Sequence, residues 1–167
     1  PGDGIGPEIT FVARELLNEV SRKFNFCITF KEQPIGGSAI DSSGSPLPEE
    51  TLEECKDSNG VLLAAIGSPE FDNVPREIRP ETGLLKLRSE LNLFANIRPV
   101  KVNKGLINAS SLKPEIIKDV DLVVVRELTG GIYFGEPRGL FEQDNNKRAF
   151  NTMTYSSHEI DRIAKIG

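Results

Sequence analysis

Two apolar runs constrain the fold of this 167-residue chain more than any other feature of its sequence. Residues 61–66 read VLLAAI, and residues 122–125 read LVVV at the end of a strand predicted over 120–125. A strand that is apolar at nearly every position is typical of a sheet covered on both faces. Helices are predicted after Pro7, with a face that points to the core, and from Pro48. The sequence therefore predicts an α/β fold.

Weaker patterns predict further β structure. Alternation of apolar and polar residues over 26–30 indicates a half-buried strand, and residues 94–100 indicate a strand or a domain crossover. The glycine-rich segment 130–139 predicts a β turn or arm, with an exposed tip over 143–148.

The chain is predicted to form two domains, neither of them complete. We place the boundary before Phe94, which gives a first domain over 1–93 and a second domain, carrying the arm, over 94–167. The glycine turn PGDGIGPE at 1–8 would normally follow a strand, and the capping box SSHE at 156–159 starts a helix that ends after about three turns. We therefore expect a partial sequence of a longer protein.

Composition and charge exclude several classes of protein. Hydrophobic residues make up 38% and charged residues 27% of the chain, as in ordinary soluble proteins, and no stretch is long enough to span a membrane. The net charge of -5 argues against a nucleic-acid surface, which would be basic. Cys27 and Cys55 lack the Cys-x-x-Cys spacing of metal and redox sites. We expect a cytoplasmic protein, although a lost targeting segment would change the compartment.

Three arginines are candidates for binding an acidic small molecule: Arg88, Arg98 and Arg126. A guanidinium binds a carboxylate through two parallel hydrogen bonds. Arg126 is the strongest candidate, because a charge at the end of an apolar strand needs a partner or a ligand cleft. Its alternative partner is Glu127, although adjacent strand residues face opposite ways. The alternative for Arg88 is a solvated charge on an exposed helix.

Other notable residues have simple structural alternatives. Leu84 and Leu85 read equally well as core leucines, and Tyr133 as an aromatic side chain that packs on the arm. The turn at 1–6 is not a dinucleotide-binding fingerprint, because it lacks the third glycine at the required offset. The residues alone therefore do not assign a reaction.

Four motifs together resemble the β-decarboxylating dehydrogenases, and within them the isopropylmalate dehydrogenases of leucine biosynthesis. These motifs are PGDGIGPE at 1–8, RPETGLLKLR at 79–88, FANIRP at 94–99 and VRELTGGIYFGE at 125–136. They follow the order of the family and span essentially the whole chain. The resemblance implies a two-domain fold with mixed sheets, of which this chain covers roughly the first half without the opening strand.

The resemblance also implies a reaction and a role for each candidate residue. The family oxidises 3-isopropylmalate with NAD and Mg²⁺ or Mn²⁺, then releases carbon dioxide to form 4-methyl-2-oxopentanoate, in the third step of leucine biosynthesis. Tyr133 would give a proton to the resulting enol, and Leu84 and Leu85 would form the pocket for the isopropyl group. The carboxylates of the dicarboxylate substrate would be held by Arg88, Arg98 and Arg126.

The resemblance further assigns a nicotinamide-side cofactor loop to the connection from Ser68 to Glu81. Glu81 would lie near the nicotinamide ribose, and the loop itself would be formed by Gly67, Ser68, Pro69, Glu70 and Phe71. The chain departs from the family here, because GSPEF stands where the family usually has GGPKW. The metal ligands, the catalytic lysine and the adenine-binding loop belong to the other half of the family's chain, and the site is completed across a homodimer. We therefore expect residues 1–167 alone to be inactive.

Two alternatives to this interpretation stay open. One is a truncated, non-catalytic protein that keeps the arm over 133–148 for dimerisation. The other is an enzyme of the same class that acts on a different acid, such as isocitrate or tartrate.

Overall fold

The computed structural model describes residues 1–167 and divides into two compact units, Pro1–Leu91 and Asn92–Gly167. Helices and two small sheets together form an α/β fold, as predicted. No helix is both long enough and apolar enough to cross a membrane.

The first unit is built mainly from helices. Pro7 lies in the first turn of the longest helix, where a proline fits because its missing N–H has no helical partner. At the other end Asn25 adopts a left-handed conformation with φ 54°, and its N–H caps the Ser21 carbonyl. In chain order the helices are α1 Gly6–Phe24, α2 Gly37–Ser43, α3 Glu49–Asp57 and α4 Pro80–Glu90, with 3-10 turns at Pro69–Phe71 and Arg76–Ile78.

The core of the first unit lies between α3, α4 and the loops beside them. Its buried side chains are Ile35, Leu47, Leu52 and Leu87. The Thr51 hydroxyl donates to the Pro34 carbonyl at 2.8 Å, which ties α3 to the loop before α2. Helix α4 contributes Leu87 to this core, while Leu84 and Leu85 on the same helix are partly buried.

Three expectations for the first unit are wrong. The apolar face of α1, with Val12 and Leu16, is exposed because no element of the unit covers it. Neither 26–30 nor 61–66 forms a strand, and the latter makes only an isolated parallel bridge between Ala65 and Gly2. The physical reason is that a strand requires a hydrogen-bonding neighbour as well as a suitable pattern, and these segments have almost none.

The second unit begins with an antiparallel pair of strands. Strand β1 covers Ala95–Lys101 and strand β2 covers Asp121–Glu127, with Ala95 opposite Glu127 and Lys101 opposite Asp121. A 3-10 segment at Lys104–Ala109 and the short helix α5 at Pro114–Ile117 connect them. The predicted strand at 120–125 is thus present. It is not covered on both faces, however, because much of its apolar surface is exposed.

The predicted arm is a β hairpin. Strands β3 Arg138–Gln143 and β4 Asn146–Asn151 pair in antiparallel register, with Gln143 opposite Asn146. The two residues between them, Asp144 and Asn145, have φ 52° and 60°, as a tight hairpin turn requires. The unit ends in α6, Ser157–Ala164, whose predicted capping box is confirmed. The hairpin follows a 3-10 turn at Gly131–Tyr133.

Candidate functional site

Arg126 and Tyr133 come together in the second unit. Arg126 Nη2 donates a hydrogen bond to Tyr133 Oη at 3.0 Å, and the guanidinium carbon lies 5.5 Å from the centre of the tyrosine ring. Tyr133 is 43% exposed, so its side chain is accessible as well as bonded. The charged end of β2 therefore faces an aromatic hydroxyl at the surface of the unit.

Arg98 shares a face of the two-stranded sheet with Arg126. Asn96 lies opposite Arg126 and Arg98 lies opposite Val124, so both arginines project on the same side of β1 and β2. The Asn96 side-chain oxygen accepts a hydrogen bond from Arg98 Nε at 2.6 Å. Asn96 is a contact that the sequence analysis missed, although its spacing of two from Arg98 on a predicted strand was a usable signal.

Glu127 does not pair with Arg126, contrary to the alternative raised from the sequence. Its carboxylate accepts hydrogen bonds from the N–H groups of Thr129 and Gly130 and from the Thr129 hydroxyl, and Arg162 also donates to it. Burial acts to raise the pKa of Glu127, but these donors outweigh burial and place the pKa below its ordinary value. The carboxylate is therefore held in its charged form.

The other candidate side chains for substrate binding lie on α4 in the first unit. Arg88 is in the last turn of this helix and is partly buried. Leu84 and Leu85 are also partly buried, and neither belongs to the core, in which Leu87 takes part. Their partial exposure leaves apolar surface available to a ligand.

The candidate cofactor loop is a tight turn against the start of α4. Gly67 has φ 99°, and a Cβ added there would lie 2.7 Å from Glu81 Oε1, so the carboxylate packs against bare backbone. Ser68 Oγ donates to Glu70 Oε1 at 2.8 Å inside the turn. Phe71 fills the space beside Gly37, where any side chain would overlap its ring. The turn thus places an acidic group directly against the backbone of Gly67.

Asp3 positions this turn and was also missed by the sequence analysis. It is only 6% exposed, and its carboxylate accepts the Gly67 N–H at 2.9 Å and the Ser38 N–H at 3.1 Å. The Asp3 N–H in turn donates to the Ala65 carbonyl at 2.8 Å. Asp3 therefore joins three separate segments of the first unit. No group of three or more His, Cys, Asp or Glu side chains in 1–167 is placed to hold a metal ion.

Comparisons with known proteins agree on one family. Residues 1–167 match the family described as isocitrate/isopropylmalate dehydrogenase. The chain is 67% identical over 166 residues to the 3-isopropylmalate dehydrogenase of Prochlorococcus marinus (strain NATL2A). It is 59% identical over 167 residues to that of Synechocystis sp. (strain ATCC 27184 / PCC 6803 / Kazusa). Each match covers 99% of this chain and 46% of the relative, so the chain spans about half the length of these curated relatives.

Solved structures agree with the sequence comparison. The isocitrate dehydrogenase from Methylococcus capsulatus superposes with a TM-score of 0.76 at 28% identity, over 99% of this chain and 44% of that one. A β-decarboxylating dehydrogenase from Thermococcus kodakarensis gives a TM-score of 0.64 at 28% identity, over 99% of this chain and 42% of that one. The chain belongs to the isocitrate/isopropylmalate dehydrogenase family.

Proposed function

We propose that the whole protein oxidises 3-isopropylmalate with NAD and decarboxylates the product to 4-methyl-2-oxopentanoate, the third step of leucine biosynthesis. Relatives named 3-isopropylmalate dehydrogenase, at 59% and 67% identity, support this reaction. The observation that carries the proposal is local. Arg98 and Arg126 lie on one face of the β1 and β2 pair, and Arg126 is bonded to the hydroxyl of Tyr133.

The arginines bind the substrate carboxylates. A guanidinium has several N–H donors in one plane, so Arg126 keeps donors for a carboxylate while one of them engages Tyr133. Arg98 likewise uses only Nε on Asn96. We assign the same role to Arg88 on α4. Fixed positive charge orients the dicarboxylate and stabilises the negative charge that develops as carbon dioxide leaves.

Tyr133 is the proton donor for the last step. Loss of carbon dioxide leaves an enol. Its carbon takes the proton of the Tyr133 hydroxyl while the enol hydroxyl releases its own proton to solvent, and the carbonyl of the 2-oxo acid forms. The Arg126 N–H that donates to the same oxygen stabilises the phenolate that remains. A proton from solvent then restores the tyrosine.

Leu84 and Leu85 form the apolar pocket for the isopropyl group. Both lie near the start of α4, where partial exposure leaves apolar surface beside the core. An apolar pocket discriminates by only about 1–3 kcal/mol per methylene. These leucines therefore favour isopropylmalate over the polar substituents of isocitrate and tartrate, but they are not an absolute filter.

The turn at Gly67, Ser68, Pro69, Glu70 and Phe71 binds the nicotinamide side of NAD. Glu81 accepts a hydrogen bond from a ribose hydroxyl beside the backbone of Gly67, which has no side chain to obstruct it. When bound, NAD supplies the acceptor for the hydride. The enzyme also uses Mg²⁺ or Mn²⁺, for which residues 1–167 hold no set of ligands, so no step is assigned to the metal through these residues.

The working enzyme is a cytoplasmic homodimer that uses the hairpin arm for contact between subunits. Leu140, Phe141 and Phe150 are exposed on β3 and β4, where a subunit contact would bury them. The rings of Phe141 and Phe150 are 5.3 Å apart in an edge-to-face arrangement that stiffens the arm.

The reduction of NAD by the full-length gene product, with isopropylmalate and Mg²⁺, tests this function. Arg126→Ala is expected to lower kcat/KM by at least about 100-fold, because it removes a charge that acts in the transition state. Arg22→Ala is the matched control, since Arg22 is an exposed arginine that pairs with Glu19 on α1. Turnover that is insensitive to Arg126→Ala would contradict the role of this arginine.

Isocitrate and tartrate are assayed in parallel as rival substrates. No turnover of isopropylmalate by a folded, full-length dimer would overturn the assignment, and activity on a rival acid would replace it. A reading frame that ends at Gly167 would favour the non-catalytic alternative, because residues 1–167 contain no metal ligand set.

A further inference from the structure

Arg126 and Glu127, adjacent at the end of β2, project from opposite faces of the sheet. Arg126 donates to Tyr133 on one side, and Glu127 turns to the other. Glu127 Oε2 accepts the N–H groups of Thr129 at 3.0 Å and Gly130 at 2.8 Å. Its Oε1 accepts the Thr129 hydroxyl at 2.9 Å and Arg162 Nη2 at 3.1 Å. The Glu127 side chain is only 9% exposed, so its carboxylate is fully engaged within the protein.

Arg162 holds Glu127 from α6. Its Nη2 donates to Glu127 and to the Thr129 hydroxyl, and its Nη1 donates to the Asn92 side-chain oxygen at 3.2 Å. The guanidinium also lies over the ring of Phe94, 4.7 Å from the ring centre. With a side chain 17% exposed, Arg162 is fixed by contacts to the start of β1, the end of β2 and the segment after β2.

The segment from Leu128 to Tyr133, which we call the tyrosine loop, is held in its conformation by the hydrogen bonds of Glu127 and Arg162. Its Gly130 and Gly131 have no side chain to anchor them, and Gly131 adopts φ 73°, a conformation that residues other than glycine seldom tolerate. Beyond Glu127, the Gly131 N–H donates to the Thr154 carbonyl at 2.9 Å. Since Tyr133 itself is half exposed, packing of its ring is not enough to hold it against Arg126.

We propose that Glu127 and Arg162 are positioning residues for catalysis: they hold the tyrosine loop in the conformation that places the Tyr133 hydroxyl against Arg126. The charged pair acts through the Thr129 and Gly130 N–H groups, without touching the substrate. This inference rests on the proposed function, because it gives Tyr133 and Arg126 the roles of proton donor and carboxylate ligand. Nothing in the motif itself indicates the partner of Glu127, which lies 35 residues away in the chain.

The test uses the full-length enzyme with three substitutions. Glu127→Gln keeps the shape of the side chain but leaves either the loop N–H groups or Arg162 facing an amide NH₂. Arg162→Met keeps the apolar stem over Phe94 and removes every donor. Arg162→Lys keeps the charge and serves as the milder variant if the others fold poorly. Asp121→Asn is the control, because Asp121 lies on the same strand in an exposed ion pair with Lys101.

We expect Glu127→Gln and Arg162→Met to lower kcat by about 10- to 100-fold, as a displaced catalytic group does. The KM for isopropylmalate is expected to rise, whereas the KM for NAD is expected to stay within about twofold of wild type. Partial unfolding alone would leave both KM values unchanged, so this split separates positioning from loss of folded protein. The double variant is expected to lose no more than the worse single variant, because both act as one unit.

Amide hydrogen exchange gives a readout that does not depend on activity. Exchange in the tyrosine loop is expected to become about tenfold faster or more in Glu127→Gln, while Asp121→Asn matches wild type. Kinetic constants in both variants within about twofold of wild type would overturn the inference and leave the proposed function intact.

A wild-type enzyme that does not turn over isopropylmalate would overturn the proposed function and the catalytic part of the inference. Faster exchange in Glu127→Gln would then still support the hold on the tyrosine loop. Unchanged exchange would overturn that part as well.

Discussion

At the scale of single residues, a buried carboxylate fixes the backbone at each of the two candidate sites. Asp3 holds the turn at Gly67, and Glu127 holds the tyrosine loop, each through backbone N–H groups. A carboxylate is suited to this work because it only accepts hydrogen bonds and accepts several at once. Both are therefore expected to affect the precision of a site more than its chemistry.

Asp3→Asn tests this idea in the first unit. An amide supplies one acceptor oxygen where the carboxylate supplies two, so the N–H of either Gly67 or Ser38 loses its partner. We expect a loss of about 1–3 kcal/mol in the free energy of unfolding, measured by urea denaturation, and a higher KM for NAD. Asp41→Asn, at an exposed position on α2, is the control and should change neither quantity. An unchanged KM for NAD would contradict the role of Asp3 in the cofactor turn.

The lowered pKa of Glu127 predicts how stability depends on pH. A carboxyl group with a folded pKa below its ordinary value of 4.5 stabilises the fold above that value, and this contribution is lost as pH falls through the folded pKa. Wild type should therefore exceed Glu127→Gln in unfolding free energy by about 1–3 kcal/mol near pH 7, with a smaller difference below about pH 4.

Urea denaturation across this pH range measures the effect of Glu127. Glu142→Gln removes the same charge from an exposed position on β3 and serves as the control. A difference between wild type and Glu127→Gln that stays constant with pH would show that the charge of Glu127 is not what stabilises the tyrosine loop.

At the scale of secondary-structure elements, those that depend on local hydrogen bonds were predicted correctly, whereas strands that depend on a distant partner were not always. The start of α6 follows from a four-residue signal, since Ser156 and Glu159 satisfy each other's backbone groups. The helix after Pro7 and the hairpin turn at Asp144 and Asn145 are similarly local. The segments 26–30 and 61–66 have the right pattern for strands but lack neighbours to pair with. A pattern is therefore sufficient for a helix, which bonds internally, and insufficient for a strand.

The capping box of α6 is a direct test at this scale. Ser156→Ala is expected to lower the unfolding free energy by about 0.5–2 kcal/mol, because the Glu159 N–H loses the oxygen that accepts from it. It should also weaken the hold of α6 on the tyrosine loop, which is visible as faster amide exchange there. Ser157→Ala, at the first residue inside the helix, is the control. Equal stability of the two variants in thermal denaturation would refute the capping role.

At the scale of the whole molecule, the exposed arm is the feature that bears on assembly. Leu140 is 67% exposed at the middle of β3, where a second subunit would bury it. We expect Leu140→Lys to shift the full-length protein from dimer to monomer at micromolar concentration, as measured by sedimentation velocity, because an unpaired charge in an apolar contact is costly. Gln143→Lys, beside the hairpin turn, is the control. An unshifted dimer in Leu140→Lys would place the subunit contact elsewhere.

The sequence by itself determined the class of fold, the family and most of the local elements, because helix caps, tight turns and long motifs each depend on residues that are close together in the chain. It also singled out Arg88, Arg98 and Arg126 as candidates for binding carboxylates, and the resemblance added Tyr133. Only the tertiary structure decided how such residues combine. Arg126 bonds to Tyr133 and Glu127 bonds to Arg162, because the alternation of β2 sends neighbouring side chains to opposite faces and packing brings α6 to one of them.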